Sequence, residues 1–175
     1  RRQCMTDTIQ CEQSDGTSLI VLESLNMMDM SLESAMVDET FEHTSTNFFD
    51  HFVLIAEALN LHGLWNDDDK FFYDILSKAG ANPIHLQLQS IVGVTTLFAV
   101  SIIEKKVLDK LSDFRRRTTW FEKYRKKNNR FWPNEEHAGG EKLLLSLVQQ
   151  DRLKNILERL VNEEEFLSPG GIRAL

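Results

Sequence analysis

Apolar residues recur every three or four positions along five stretches of the chain, which is the period of an α-helix with one buried face. In the first stretch the recurring residues run from Leu19 through Leu25 to Met36, directly after Asp15-Gly16-Thr17. The same period predicts helices over residues 17–37, 41–59, 91–107, 113–127 and 149–161. The third of these helices is apolar along most of residues 91–103, so we expect it to be buried.

Two shorter segments follow a different pattern. Trp65 and the run 71–76 flank the polar turn 66–70, a combination typical of a short β-hairpin. Apolar and polar residues alternate from Ile84 to Gln89, which predicts a brief strand before the third helix. Because helices dominate, we expect an all-α fold that is part of an α/α toroid, with a short β-hairpin in a loop. Five helices are too few to close such a ring, so residues 1–175 are expected to form a single, incomplete domain.

Composition and charge change this picture little. The chain has 175 residues, of which 42% are hydrophobic and 27% are charged, as in ordinary globular proteins. The net charge of −7 disfavours a nucleic acid as partner. Residues 1–100 carry 4 basic and 15 acidic side chains, whereas residues 101–175 carry 16 and 12. A site for a polyanion would therefore have to lie in the second part of the chain.

Cysteine content and apolar runs bear on the cellular location. Cys4 and Cys11 are too few for a disulfide scaffold, and neither has a His at zinc-ligand spacing. The first residues lack the apolar region of a secretory signal, and the longest apolar run is shorter than the roughly 20 residues needed to cross a bilayer. We therefore expect free thiols and a cytoplasmic protein that does not enter a membrane, while the oligomeric state stays open.

Candidate chemistry is concentrated in the loops. Asp15 precedes the first predicted helix, where it or Thr17 would cap free backbone N–H groups. A carboxylic acid in this position also suits a general acid, provided that a second carboxylate lies across a cleft. Trp65, Tyr73 and Asp74 surround the hairpin turn, and an aromatic face beside carboxylates is what a sugar ring requires. The alternative is the ordinary packing of a hydrophobic hairpin against helices.

Other features favour plainer interpretations. Three aspartates at 67–69 lack the spacing of a calcium loop, so no metal site is expected. Of the glutamates 163–165, which lie where the helix dipole disfavours them, Glu165 is the one expected to point inward. Basic and aromatic residues are interleaved over 114–132, as on single-stranded nucleic-acid surfaces, but their helical spacing favours buried aromatic rings and solvated charges. The sequence contains neither a nucleophile motif nor a phosphate-binding glycine loop.

Taken in order, several segments resemble the α/α-barrel glycosidases related to glycoside hydrolase family 63, including its mannosylglycerate-hydrolase-like branch. The resemblance runs from Glu12 to Leu175 and rests on the joint order of the segments, since no single one is specific. It includes Gln-Ser-Asp-Gly-Thr at 13–17 and Glu-Phe-Leu-Ser-Pro at 165–169. The other segments are 25–27, 48–52, 55–60, 63–74, 89–93, 97–100, 114–117, 120–121, 144–148, 151–153 and 171–173.

The resemblance implies an (α/α)6 toroid whose loops form a sugar pocket, with no cofactor. It further implies a carbohydrate substrate and hydrolysis of gluco- or manno-configured α-glycosidic bonds with inversion by two carboxylates. Asp15 would be the general acid, and the general base would be a Glu beyond residue 175, with Glu165 as a substitute within the chain. The expected substrate contacts are Gln13, Trp65, Tyr73, Asp74, Gln89 and Arg173.

Five positions depart from the family's pattern. Ser18-Leu19 replaces Ala-Trp, Gln89 stands where Arg is usual, Gly170 where Tyr is usual, and Lys70 where Gly closes the hairpin turn. These changes fall at expected pocket or turn positions and suggest reduced or altered activity. A catalytically inactive helical module that binds sugar or a partner protein is therefore the alternative.

Overall fold

The structure of the protein is a computed structural model, and it describes residues 9–61, 63–78, 81–127, 134–136 and 142–174, hereafter the described residues. The helices are α1 (Ser14–Ala35), α2 (Glu42–Leu61), α3 (Lys105–Lys110), α4 (Ser112–Lys127) and α5 (Gln150–Leu160), with 3₁₀-helices at Glu39–Phe41 and Ile91–Phe98. The strands are β1 (Ile9–Glu12), β2 (Trp65–Asn66), β3 (Phe71–Phe72), β4 (Asp74–Lys78), β5 (Ile84–Leu86), β6 (Val100–Glu104), β7 (Asn134–Glu136), β8 (Lys142–Ser146), β9 (Leu167–Ser168) and β10 (Gly171–Ile172).

The fold is mixed α/β, so the prediction of an all-α fold that is part of an (α/α)6 toroid is wrong. The predicted helix over 91–107 is divided between the second 3₁₀-helix, β6 and α3. Val100, Ile102 and Ile103 are β-branched, which favours a strand, and β6 pairs along its whole length with β8. This pairing joins distant parts of the chain, and the local pattern of apolar residues does not reveal it.

The helical period correctly predicted four helices, which the structure shows as α1, α2, α4 and α5. Helices α1 and α2 pack against each other and supply much of the core, because their inward residues are spaced at three and four positions. Burying each large apolar side chain contributes about 1.5–3 kcal/mol relative to leaving it exposed. The buried apolar residues of these two helices are Val21, Leu25, Met28, Leu32, Ala35, Phe49, Phe52, Val53, Ala56 and Leu59.

Two three-stranded antiparallel sheets accompany the helices. Their strand orders are β1-β4-β5 and β6-β8-β7, and the pairs β2-β3 and β9-β10 form separate hairpins. In the first sheet Glu12 lies opposite Ile75 and Asp74 lies opposite Leu86. Strand β5 is an edge strand of this sheet, and the apolar residues of its alternating sequence point outward: Ile84, Leu86 and Leu88 are 61%, 40% and 63% exposed.

The predicted β-hairpin is confirmed as β2 and β3, joined by the turn 67–70. Lys70 closes this turn with a φ of 53°, a left-handed conformation that glycine adopts more easily. The 3₁₀-helix that contains Gly93 lies directly on β3. A Cβ atom added at Gly93 would come within 2.6 Å of the Phe72 carbonyl oxygen and 2.7 Å of Phe71 Cζ, so only glycine fits this close approach.

Helix α4 is attached to α2 by polar contacts between distant residues. The Glu42 carboxylate accepts hydrogen bonds from the backbone N–H groups of Asp113 and Phe114, each at 2.8 Å, and thereby caps the start of α4. The Arg117 guanidinium forms a bidentate pair with Asp50, with N–O distances of 3.0 and 2.7 Å. The two contacts fix how α4 lies along α2.

Candidate functional site

One end of the first sheet collects polar side chains from three separate segments of the chain. Because β1, β4 and β5 are antiparallel neighbours, the end of β1, the start of β4 and the end of β5 meet at the same edge. The residues at this edge are hereafter called the sheet-end cluster. Gln13, Asp15, Tyr73 and Asp74 belong to it by their place in the chain, and Asp69, Gln87 and Gln89 belong to it through the Gln87–Asp69 hydrogen bond and their proximity to Tyr73.

Asp74 connects the sheet to the start of α1. Its Oδ1 accepts hydrogen bonds from the Ser14 backbone N–H at 2.7 Å and from the Ser14 hydroxyl at 2.9 Å. Asp74 therefore caps α1 from sixty residues away, whereas the sequence predicts Asp15 or Thr17 as the cap. The Thr17 hydroxyl instead donates to the Gln13 carbonyl oxygen at 2.8 Å.

Asp15 lies in the first turn of α1, because the helix begins three residues earlier than predicted. Its Oδ1 accepts a hydrogen bond from the Gly16 N–H at 2.6 Å, and its side chain is half-buried. Asp74 holds Ser14, the residue just before Asp15. This cap therefore sets the position of Asp15 relative to the sheet. The N-terminal end of the helix dipole also faces this carboxylate.

Tyr73 immediately precedes Asp74, and its side chain is only 2% exposed. Its hydroxyl is buried without a hydrogen-bond partner of standard geometry among the described residues. Burial raises the pKa of the Tyr73 phenol, the Gln89 side chain opposes that rise, and the Asp69 carboxylate adds to it. The hydroxyl therefore lies near both Gln89 and Asp69 with hydrogen-bonding capacity to spare.

The polar residues of the β5 segment turn toward the hairpin. His85 Nε2 lies 2.6 Å from the Gly63 carbonyl oxygen, and Gln87 Nε2 donates to Asp69 Oδ2 at 3.1 Å. The Asn66 side chain accepts from the backbone N–H groups of Asp68 and Asp69 and so shapes the turn that carries this carboxylate. Asp69 and Gln87 were not among the predicted site residues, although the alternation over 84–89 placed Gln87 and Gln89 on one face.

Arg159 joins the hairpin turn to the C-terminal part of the chain. Its guanidinium donates to the Asp69 carbonyl oxygen and, at 3.0 Å, to Glu165 Oε2, and it lies 5.6 Å from the centre of the Phe71 ring. Arg173 donates to the backbone carbonyl oxygen of Glu165 at 2.9 Å. The predicted contact Arg173 therefore reaches the sheet-end cluster only through Glu165 and Arg159.

Trp65, also a predicted substrate contact, belongs to the hydrophobic core. It is buried, its ring centre lies 4.9 Å from that of Phe72, and the Arg152 guanidinium stacks 4.8 Å from its centre. Burial lowers the pKa of Arg152, which the nearby Asp67 partly offsets. The surroundings of Trp65 agree with the interpretation that the hairpin packs against the rest of the fold.

The basic stretch on α4 is largely ion-paired. The guanidinium groups lie 3.6, 3.1 and 2.7 Å from carboxylate oxygens in three pairs, and a fourth pair is buried. Phe114 and Phe121 are buried as predicted, but Trp120 and Tyr124 are exposed and Arg125 is buried, so the expected division into buried rings and solvated charges is only partly correct; Phe131 and Trp132 lie outside the described residues. The pairs, in order, are Arg115–Asp109, Arg116–Asp113, Arg117–Asp50 and Arg125–Glu57. This arrangement favours a solvated face over a surface for polyanions.

Three further observations concern metals, thiols and membranes. Within the described ranges, no three His, Cys, Asp or Glu side chains come together as a metal site. Cys11 lies half-buried on β1, and Cys4 lies outside the described residues, so the predicted state of the two thiols stays a prediction. None of the described helices combines the length and apolar character needed to cross a bilayer. The cytoplasmic location stays a prediction.

Comparison with known proteins gives one relative. The chain is 35% identical over 182 residues to uncharacterized protein YMR196W of Saccharomyces cerevisiae, an alignment that covers 94% of this chain and 17% of that protein. The chain thus spans about a sixth of the length of this relative. No protein-family model matches the chain, and no solved structure is similar to it.

Proposed function

We propose that the chain contributes the acid half of a glycosidase site that hydrolyses α-glycosidic bonds with inversion, with Asp15 as the general acid. The observation that supports this most is the strand register, by which the backbone positions of Gln13, Asp15, Tyr73, Asp74 and Gln89 follow or precede strand ends on one side of the first sheet. These five residues include the acid and four of the six substrate contacts that the family resemblance implies. The same resemblance implied an (α/α)6 toroid, which the mixed α/β fold contradicts, so the proposal keeps only the residue roles and not the fold.

In the proposed reaction Asp15 gives its proton to the glycosidic oxygen as the bond from that oxygen to the anomeric carbon breaks. A water molecule attacks the anomeric carbon from the opposite face and loses its proton to a second carboxylate, which lies about 6.5–9.5 Å from the first in inverting enzymes. The products are a free sugar of inverted configuration and an alcohol. Asp74 is a positioning residue in this scheme, because it holds Ser14 and thereby the turn that carries Asp15.

The second carboxylate is proposed to come from outside the 175 residues. Glu165 is a poor base, because its Oε2 is held by Arg159 at 3.0 Å and its Oε1 by the Asn162 side chain at 3.3 Å. Asp74 is occupied by the cap of α1 and Asp69 by Gln87. The much greater length of the yeast relative is consistent with a base on another segment.

The test is the Asp15→Asn variant of the full-length polypeptide, assayed on an unactivated α-glycoside and on one with a good leaving group. Loss of the general acid should lower kcat on the unactivated substrate by about 10²–10⁴-fold and leave the activated substrate much less affected. Asp68→Asn is the control, since Asp68 lies exposed in the hairpin turn and caps no helix. Equal loss on both substrates, or no loss on either, contradicts the role of Asp15.

The alternative is a catalytically inactive module that binds sugar or a partner protein. It is favoured by one observation: Asp69, Asp74 and Glu165 all hold structural hydrogen bonds, whereas within the described part of the chain Asp15 accepts one only from the adjacent Gly16 N–H. Titration calorimetry separates the two functions. Sugar binding by the full-length polypeptide without any turnover supports the inactive module, and turnover supports the glycosidase.

A further inference from the structure

We infer that two copies of the chain associate through the exposed side of α4, with the two helices antiparallel and Trp120 at the centre of the contact. This contact is independent of the proposed glycosidase reaction and involves no residue of the sheet-end cluster. The surface is hereafter called the α4 face. Its members, all exposed, are Asp113, Arg116, Trp120, Lys123, Tyr124 and Lys127.

Two large aromatic side chains lie exposed in the middle of the α4 face. Trp120 is 50% exposed and Tyr124 is 40% exposed, and their rings stack with centres 5.2 Å apart and planes at 10°. The Arg117 guanidinium, which Asp50 holds in a bidentate pair, lies 5.0 Å from the centre of the Trp120 ring. These contacts order the side chains in advance, so little conformational entropy is lost when a partner binds. Trp, Tyr and Arg are also the residue types that contribute most at protein interfaces.

The charges of the α4 face have opposite signs on the two sides of Trp120. Asp113 and Lys127 are each seven residues from Trp120, which places them about 10.5 Å away along the same side of the helix. When a second α4 lies antiparallel with Trp120 opposite Trp120, Asp113 of each copy meets Lys127 of the other. The face is therefore complementary to itself about a two-fold axis. A ligand with negative charge alone would match Lys127 but be repelled at Asp113, so a second copy fits better.

The inner residues of the α4 face also match in this arrangement. Arg116 lies four residues before Trp120 and Tyr124 lies four residues after it, so the guanidinium of one copy meets the phenol ring of the other. A guanidinium over an aromatic ring is a favourable cation–π contact. Lys123 comes opposite Arg117, whose charge is already balanced by its carboxylate partner on α2.

A groove beside Trp120 receives Lys127 of the second copy. The groove lies where the start of α2 meets the start of α4, has a volume of about 620 Å³ and includes the carboxylates of Glu39 and Asp113 in its lining. Asp113 is paired with Arg116 at 3.1 Å, but both side chains are largely exposed, and such pairs contribute little in water. The Asp113 carboxylate can therefore exchange this partner for the incoming ammonium group, which releases Arg116 for its cation–π contact.

The test measures the dissociation constant of the dimer by analytical ultracentrifugation of the full-length polypeptide. Lys127→Glu brings two carboxylates together at each end of the contact and should raise that constant at least about tenfold. Trp120→Ala should raise it at least about thirtyfold, because a tryptophan at the centre of an interface is a typical hot spot. Lys126→Glu is the matched control and should leave the constant unchanged, since it makes the same charge change one residue away on a different side of α4.

A mixture of two charge variants tests the antiparallel arrangement itself. Asp113→Lys alone brings two ammonium groups together at each end and should also weaken the dimer. When Asp113→Lys and Lys127→Glu are mixed in equal amounts, both ends of the contact again join opposite charges, one in the original sense and one in the reversed sense. The mixture should form a heterodimer with the dissociation constant of the wild type, detected through a fluorescent label on one variant. Two folded variants that stay monomeric when mixed contradict the antiparallel contact.

Other results would overturn the dimer. A polypeptide that sediments as a monomer at every concentration does so, and so does an equal effect of Lys126→Glu and Lys127→Glu, which would make association a matter of net charge. A dimer that survives Trp120→Ala also overturns it, and loss of that dimer in Leu86→Lys would place the contact at β5 instead. If Asp113→Lys lowers Tm because it removes an acidic residue from the first turn of α4, Lys127→Glu and Trp120→Ala decide the question.

Discussion

The contact between Gly93 and β3 gives the sharpest prediction about stability. In the Gly93→Ala variant the new methyl group would lie 2.6 Å from the Phe72 carbonyl oxygen and 2.7 Å from Phe71 Cζ, with Phe71 Cε1 closer still. The phenyl ring can shift slightly, but the carbonyl oxygen belongs to the backbone of the hairpin and cannot. The 3₁₀-helix and β3 must therefore separate.

Overpacking of this kind typically destabilises a protein by about 1–3 kcal/mol, and the backbone contact puts Gly93→Ala near the upper end of that range. Replacing glycine also stabilises by about 0.4–1 kcal/mol, because it restricts the unfolded chain. The expected net loss in the free energy of unfolding is about 2 kcal/mol. For a protein of this size that loss lowers Tm by about 4–8 °C.

Thermal unfolding followed by circular dichroism measures this change directly. Gly170→Ala is the matched control, because the atom nearest its added Cβ is Ser168 Oγ at 3.9 Å, an ordinary contact. The double variant Gly93→Ala with Phe71→Leu should recover part of the loss relative to the sum of the single variants, since the shorter side chain gives way. A Tm for Gly93→Ala within about 1 °C of the wild type would refute the close approach of the 3₁₀-helix to β3.

Three further predictions concern single side chains. Asp74→Ala removes the cap on Ser14 and should lower the free energy of unfolding by about 1 kcal/mol, as measured by urea titration, whereas Asp74→Asn keeps an acceptor and should lose less. Burial raises the pKa of Asp29, and the hydrogen bond from Ser101 only partly opposes it. The folded state therefore binds the proton of the Asp29 carboxyl more tightly than the unfolded chain does. The stability that this protonation contributes is present below about pH 4 and is lost as the pH rises through the folded pKa of Asp29. Asp29→Asn should accordingly be more stable than the wild type near neutral pH, with a difference that shrinks toward acid pH in urea titrations; a constant difference would contradict this. Lys70→Gly relieves a left-handed φ of 53° and should raise the free energy of unfolding by about 0.5 kcal/mol, and an unchanged urea midpoint would show that the turn carries no strain.

The spacing of apolar residues along the chain predicted the long helices but not the two three-stranded sheets. Helix α1 repeats its apolar residues over 22 positions, and its one-sided burial follows from that spacing. Strands β1 and β8 are short, and each finds its partner far along the chain, so no local pattern revealed them. The segment 91–103 was misread for the same reason, because a continuous apolar run has no period that separates a helix from a strand.

Sequence reasoning selected individual residues for the candidate site but not the contacts that hold them. The sequence predicts the aromatic and acidic residues near the hairpin as one group of substrate contacts, whereas the structure shows Trp65 under Arg152 in the core. Asp74 was expected to contact substrate, yet its contact with Ser14 is a helix cap that only the tertiary structure creates. The link from Arg159 to the hairpin gave no signal in the sequence, because its acceptor, the Asp69 carbonyl oxygen, lies in a turn ninety residues away.

The outward apolar face of β5 makes the protein vulnerable to aggregation. On the side away from β4 no strand among residues 9–61, 63–78, 81–127, 134–136 and 142–174 pairs with β5, and residues 79–103 contain no Asp, Glu, Lys or Arg to repel another copy of the strand. Edge strands of β-sheets are commonly protected by a lysine. Leu86→Lys should therefore raise the highest concentration at which the chain stays monodisperse in light scattering. The hydrogen bond from Gln87 to Asp69 on the opposite face should stay unchanged. We therefore expect this short strand to contribute to self-association at high concentration, and one charge placed there to reduce it.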